Sequence, residues 1–173
     1  MTQSIEENVR QLVKGVASRF LDQGIVLATA ESCTGGWVAQ VATSLPGSSN
    51  WFDCGFVTYS NSAKQRLLAV PAELFADDGP GAVSEQVVKA MALGAIANSA
   101  ANVGVATSGI AGPDGGTEDK PVGTVWIGCA HEDGRCKARV YRFEGDRYSV
   151  RLQTVEQALK AILNLLDTTM LPR

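Results

Sequence analysis

A chain of 173 residues with 45% hydrophobic and 19% charged side chains has the make-up of one globular domain with room for a real core. Its net charge of −3, with lysines and arginines scattered, leaves no basic footprint for nucleic acid as a partner. No apolar run reaches the ~20 residues that cross a bilayer, and the polar, acidic start from Thr2 to Arg10 is not a signal peptide, which points to the cytoplasm.

Ile5, Val9, Leu12, Val13, Val16 and Phe20 recur at helical spacing, and Gly24 closes that helix. The apolar run Ile25-Val26-Leu27-Ala28 then predicts a strand, residues 29–36 a tight turn, and residues 37–42 an amphipathic helix. That turn sets Glu31, Ser32, Cys33, Thr34, Gly35 and Gly36 just ahead of a helix end. Unpaired N–H groups there suit a nucleophile or an anion; equally, Ser32 or Thr34 serves only as a cap while the glycines relax the backbone. After a loop at Leu45-Pro46-Gly47-Ser48-Ser49, residues 54–59 read as extended and residues 62–68 as a short helix. An Ala-rich helix runs over about 84–101 with Ser84 as its cap, and Val103-Gly104-Val105-Ala106-Thr107 is a buried strand opening into the glycine-rich loop 108–116. Strands over 123–130 and 137–143 flank Glu132-Asp133-Gly134, a hairpin signal. Tyr148, Leu152, Val155, Leu159, Ile162 and Leu166 form the core stripe of a last helix.

Early strands with helical crossovers and a late hairpin predict an α/β protein, a layered α/β/α single domain over 1–173 with a mixed, partly parallel sheet. Ligands of such sheets bind beyond the carboxyl ends of the strands. Three strand ends run into hydroxyl- or glycine-rich turns, at 31–36, 58–61 and 107–112, so they predict one shared pocket. Candidate nucleophiles are Ser32, Cys33, Thr34 and Ser49. The only histidine, His131, lies beside the hairpin turn at the far end of its strand, which leaves a Ser–Lys arrangement as the route to an activated hydroxyl. Lys64 follows the second turn by one helical turn; it is either the base of such a pair or a solvated surface amine. Arg147, at the head of the last helix, is either a phosphate clamp or a surface charge. Cys33, Cys54, Cys129 and Cys136 contain no Cys-x-x-Cys pair and read as free thiols, Cys54 and Cys129 in the core, with no metal site implied. Esterase, P-loop and dinucleotide-binding motifs are absent.

The segments Ala30-Glu31-Ser32-Cys33-Thr34-Gly35-Gly36, Gly47-Ser48-Ser49, Gly55-Phe56-Val57-Thr58-Tyr59-Ser60-Asn61 with Lys64, and Gly81-Ala82-Val83-Ser84 resemble one family in this order. Ser108-Gly109-Ile110-Ala111-Gly112-Pro113-Asp114-Gly115-Gly116 and Lys120-Pro121-Val122-Gly123-Thr124-Val125 extend the match, which runs from about Ile5 to Leu166. It is the nicotinamide-nucleotide amidase family, the C-terminal domain of the CinA-type competence/damage-inducible proteins. The resemblance implies a cytoplasmic, homo-oligomeric α/β enzyme of pyridine-nucleotide recycling. It implies hydrolysis of nicotinamide mononucleotide to nicotinic acid mononucleotide and ammonia, with a small-molecule pyridine nucleotide as partner and no cofactor. Longer relatives carry an N-terminal domain with its own hydrolase activity, which is expected to be absent here. Carried over by position, Ser32 is the nucleophile and Lys64 its base. Thr34, Gly35, Ser49, Tyr59, Thr107, Gly109, Gly112 and Arg147 are the substrate-binding residues, Arg147 and the 109–116 loop lying near the phosphate. Two rivals remain: a non-catalytic nucleotide-binding or regulatory module, and an amidase whose nucleophile is Cys33.

Overall fold

In the computed structural model, which describes residues 2–167, the first helix α1 (Thr2–Gln23) buries Val9, Val13, Val16 and Phe20 along one face. Gly24, at φ +63°, turns the chain out of that helix, and Ile25 N–H donates to Phe20 O. Residue 1 and residues 168–173 of the expected 1–173 domain lie outside the described part.

Five strands form one mixed sheet. The central strand β1 (Leu27–Glu31) is buried at every position, because it pairs in parallel with β2 (Phe52–Val57) on one side and β3 (Val103–Gly109) on the other. From β3 the sheet turns antiparallel through β4 (Thr124–His131) to β5 (Cys136–Arg142), giving the order β2-β1-β3-β4-β5. Alternation along the strands feeds two cores. Leu27, Val103, Val105, Val125, Ile127 and Cys129 pack with α1, α2 (Trp37–Thr43) and α5 (Arg147–Leu166). Ala28, Ala30, Ala106 and Ala130 face α4 (Glu85–Ala97), with α3 (Asn61–Leu68) closing that side. The protein is therefore an α/β fold with helices on both faces of the sheet. No helix among the described residues is long and apolar enough to cross a membrane.

On the α4 side the sheet carries small residues for a steric reason. A Cβ at Gly104 would sit 2.1 Å from Ala92 O, and one at Gly128 would sit 2.6 Å from Val88 O, so α4 lies directly on the strand backbones.

Element bounds differ from the sequence reading where polar residues stay inside. β1 begins at Leu27 rather than Ile25 and continues through Glu31, and β3 continues to Gly109, because Thr29, Glu31, Thr107 and Ser108 are buried in the sheet rather than looped out. α4 stops at Ala97 instead of about 101: the Asn98 and Ser99 side chains bond back to the carbonyls of Gly94 and Ala95 and end the helix. Cys129 is buried as expected. Cys54 is only half-buried, since β2 is an edge strand whose positions alternate between half-buried and exposed.

Candidate active site

Register brings the three turns together. Glu31 pairs with Val57 and with Thr107, so the carboxyl ends of β1, β2 and β3 lie at one end of the sheet, with Ser32, Thr58 and Ser108 side by side. β4 enters at that same end, Gly109 opposite Val125, and carries His131 to the far end opposite Val103. A cleft of about 220 Å³ opens there, lined by Ser32, Cys33, Tyr59, Asn61, Lys64, Ala82, Val83, Ser108, Gly109, Ala111 and Arg147.

Lys64 comes from α3, whose first turn is capped by Ser60 accepting from Ala63 N–H. Its side chain is 1% exposed, and Nζ lies 3.1 Å from Ser32 Oγ, 2.8 Å from Thr58 O and 3.3 Å from Tyr59 O. Burial pushes the amine's pKa below the ordinary lysine value, opposed by the neighbouring Cys33, and no carboxylate pairs with it among the described residues. A neutral amine has two N–H bonds and one lone pair. Two carbonyls that accept and one hydroxyl that can donate are a matching set of partners.

Cys33 also reaches the cleft, but its thiol is buried and pushed up to about 12, chiefly by desolvation and despite a hydrogen bond with Thr107. At neutral pH it is a thiol, not a thiolate.

The N-terminus of α2 is not open to an anion, contrary to one reading of the turn. Glu31, 1% exposed, points its carboxylate into it: Oε2 accepts from Gly36 N–H (3.0 Å) and Val38 N–H (3.0 Å), and Oε1 from Ala39 N–H (2.8 Å). Thr34 Oγ1 donates to Glu31 Oε2 at 2.6 Å and lies 2.8 Å from Thr107 Oγ1. Thr34 and Thr107 are thus fully buried beneath the turn, where they support it without lining the cleft. Gly35, at φ +63°, lets the chain double back there, facing Arg151 rather than the cleft.

The rim is held by Arg147, which follows the Asp146 cap of α5. Its Nη1 donates to Gly112 O (2.9 Å) and its Nη2 to the Tyr59 hydroxyl (3.0 Å), joining two of the turns. Gly109 lines the cleft where its backbone presses on β4: a Cβ would lie 2.6 Å from the Val125 side chain. Gly112 contributes the carbonyl that Arg147 holds.

Ser49 is not brought to this cleft. It is exposed in a 3-10 turn, Ser48–Asn50, just before β2, and β2 begins opposite Leu27 at the other end of the sheet. The site-residue reading left out Asn61, Ser108, Ala82, Val83 and Ala111. Asn61 and Ser108 belong to the segments 58–61 and 107–112 already marked by composition, and Ser108 Oγ donates to Ala82 O (2.7 Å), fixing the opposite wall. Ala82, Val83 and Ala111 bear no group that points to chemistry. Arg151 was missed too: it stands one turn after Arg147 on α5 and donates to Cys33 O (3.1 Å) and Thr34 O (2.7 Å). Among the described residues no group of three or more His, Cys, Asp or Glu is placed to hold a metal ion.

The sequence profile of the CinA C-terminal domain matches residues 9–166. A nicotinamide-nucleotide amidohydrolase, PncC, of Enterobacter agglomerans is 48% identical over 158 residues, 91% of this chain and 95% of that protein. Its namesake in Pseudomonas putida is 54% identical over 140 residues, 80% of this chain and 85% of that protein. Among solved structures, the competence/damage-inducible protein CihA of Agrobacterium tumefaciens superposes with a TM-score of 0.89 at 40% identity, covering 92% of this chain and 96% of that one.

Proposed function

As the chain belongs to the CinA C-terminal domain family, we propose that it is a nicotinamide-nucleotide amidase in which Ser32 is the nucleophile and Lys64 the base. The observation that carries this reading is the 3.1 Å approach of Lys64 Nζ to Ser32 Oγ in a site where burial favours the neutral amine. The names and near full-length similarity of the amidohydrolase relatives supply the substrate.

Ser32 Oγ attacks the carboxamide carbon of nicotinamide mononucleotide as its proton passes to Lys64 Nζ. The tetrahedral adduct collapses, Lys64 returns the proton to the leaving nitrogen, and ammonia departs from a Ser32 ester. Water, deprotonated by the same amine, then opens the ester to nicotinic acid mononucleotide and restores the Ser32 hydroxyl. Arg147, in reach of the rim, holds the phosphate together with the 109–116 loop. Thr34 and Thr107 keep the Ser32 turn in place. Cys33, protonated at working pH, is not the nucleophile. We place this activity in pyridine-nucleotide recycling by a homo-oligomeric cytoplasmic enzyme, with residues 1–173 as one amidase domain.

The test is ammonia release from nicotinamide mononucleotide by the purified protein, with and without exhaustive chelation. Steady release in both, nearly abolished by Ser32→Ala and largely kept by Cys33→Ala, is the expected result. A protein whose melting temperature shifts with the nucleotide but which releases no ammonia is a binding module instead.

A further inference from the structure

The backbone amides following the nucleophile can be traced one by one. Ser32 N–H donates to Thr107 O (3.0 Å), Gly35 N–H to Ser32 O (3.1 Å), Trp37 N–H to Thr34 O (3.3 Å) and Gln40 N–H to Gly36 O (2.9 Å). Gly36, Val38 and Ala39 donate to Glu31. That leaves Cys33 and Thr34. The Cys33 amide meets only its own thiol, and the Thr34 amide has no protein acceptor among the described residues. Buried amides left in this way are rare in folded chains.

The carbonyls of these two residues are not left to chance. Both are drawn to α5 by one side chain, Arg151, with Nε on Cys33 O at 3.1 Å and Nη2 on Thr34 O at 2.7 Å. Its guanidinium lies over the Trp37 ring at 5.2 Å, and no carboxylate pairs with it among the described residues. These peptides are trans, so a carbonyl and the next N–H point opposite ways: holding Thr34 O sets the Gly35 N–H that donates to Ser32 O, and the direction of Ser32 O sets that of the Cys33 N–H. Arg151 is not part of the cleft wall, whereas Ser32 and Cys33 are.

We infer that Arg151 is a positioning residue: by holding the Cys33 and Thr34 carbonyls it fixes the turn in which Gly35 N–H holds Ser32 O, and so aims the Cys33 amide at the oxygen that becomes negative when Ser32 attacks the carboxamide. This rests on Ser32 being the nucleophile. Donors fixed before the reaction are worth most in a site closed to water, because they need no reorganisation as charge develops. A planar fork stacked on an indole can hold two carbonyls at once, which a lysine ammonium cannot do with the same rigidity.

The test compares Arg151→Met and Arg151→Lys with the unaltered protein, using three readouts. Turnover is measured with nicotinamide mononucleotide. Ground-state binding is measured with nicotinic acid mononucleotide. The third is binding of the pyridine-3-carbaldehyde mononucleotide, whose carbonyl takes up the Ser32 hydroxyl to give a hemiacetal with its oxygen in the same place. Arg151→Met is expected to lower kcat by roughly a hundredfold, as loss of an oxyanion donor does, with KM within about twofold. The aldehyde should weaken by the same factor as kcat while nicotinic acid mononucleotide binds as before, and Arg151→Lys should fall between. Unchanged kcat, or equal weakening of the aldehyde and the product, overturns the inference. If Arg151→Met fails to fold, Arg151→Lys decides on the same readouts. Amidase activity retained by Ser32→Ala would sink the nucleophile reading and this inference with it. A dead Ser32→Ala beside fully active Arg151 variants sinks this inference alone.

Discussion

Lys64 is a buried amine with two carbonyls and a hydroxyl for company, and that setting dictates a pH dependence. Desolvation holds its folded pKa below the ordinary value of 10.5. The amine acts as a base only when neutral, so kcat/KM should rise with pH and level off below the range where exposed lysines titrate. Lys64→Arg, charged at every accessible pH, should be inactive throughout the profile. A profile without the rising limb, or an active Lys64→Arg, removes Lys64 from the role of base. The same shift acts on stability. Between the folded pKa and 10.5 the unfolded chain binds more protons, so unfolding free energy climbs with pH across that window and the climb disappears in Lys64→Met. Arg147 gives a second prediction at this scale. A charge-assisted contact with phosphate is worth ~1.5–3 kcal/mol, so Arg147→Ala should weaken nicotinamide mononucleotide binding by roughly ten- to a hundredfold. The riboside, which lacks the phosphate, should be handled as before; equal loss on both substrates would make Arg147 a brace between Tyr59 and Gly112 only. A strand–turn–helix order and one helical turn of spacing marked Ser32 and Lys64 only as candidates beside Cys33, Thr34 and Ser49; the family resemblance singled them out. Arg151 was not legible in the sequence, because its partners are carbonyls more than a hundred residues away and leave no trace in side-chain pattern.

Between β1 and α2 the joint is a single carboxylate. The buried Glu31 accepts from three amides of the helix end and from the Thr34 hydroxyl, the Val38 and Thr34 bonds buried and the Gly36 and Ala39 bonds partly so. Glu31→Ala leaves the three amides without a partner, while the Thr34 hydroxyl keeps Thr107 Oγ1, and each unsatisfied buried group costs about 1–3 kcal/mol. With partial relief by water, a loss of about 3 kcal/mol is expected, or a Tm lower by roughly 6–12 °C for a chain of this size. Thermal or urea denaturation measures it, and a loss under about 1 kcal/mol would mean that the turn is held by Arg151 and Thr107 without the carboxylate. The sequence offers the Ser32 or Thr34 hydroxyl as the cap of this turn, yet the cap is the acid, placed on the strand rather than in the turn. Burial decided that, and burial depends on both neighbouring strands. The end of β3 lies beyond the expected one for the same reason: Ser108 and Gly109 look like loop residues until they pair with Trp126 and Val125 of β4.

At the level of the whole molecule, the mixed sheet and its two helical layers followed from crossovers and a hairpin signal, and the cleft followed from three matched strand ends. Ser49 shows the limit of such reading. It resembles a site residue by position in a motif, but β2 runs parallel to β1, so a residue ahead of β2 is carried to the opposite end from Ser32. The Glu31 cap has a further consequence for how a dianionic ligand is held. With the positive end of α2 already neutralised from inside, the phosphate must be met at the rim, where Tyr59 is 63% exposed and Arg147 bonds to its hydroxyl. Contacts in that position are screened by electrolyte, whose reach shrinks from about 30 Å at 0.01 M to about 3 Å at 1 M. Raising ionic strength should therefore raise KM for nicotinamide mononucleotide several-fold while kcat, which the proposed mechanism assigns to Ser32 and the buried Lys64, stays level; a KM indifferent to salt would put the phosphate in a dry pocket instead.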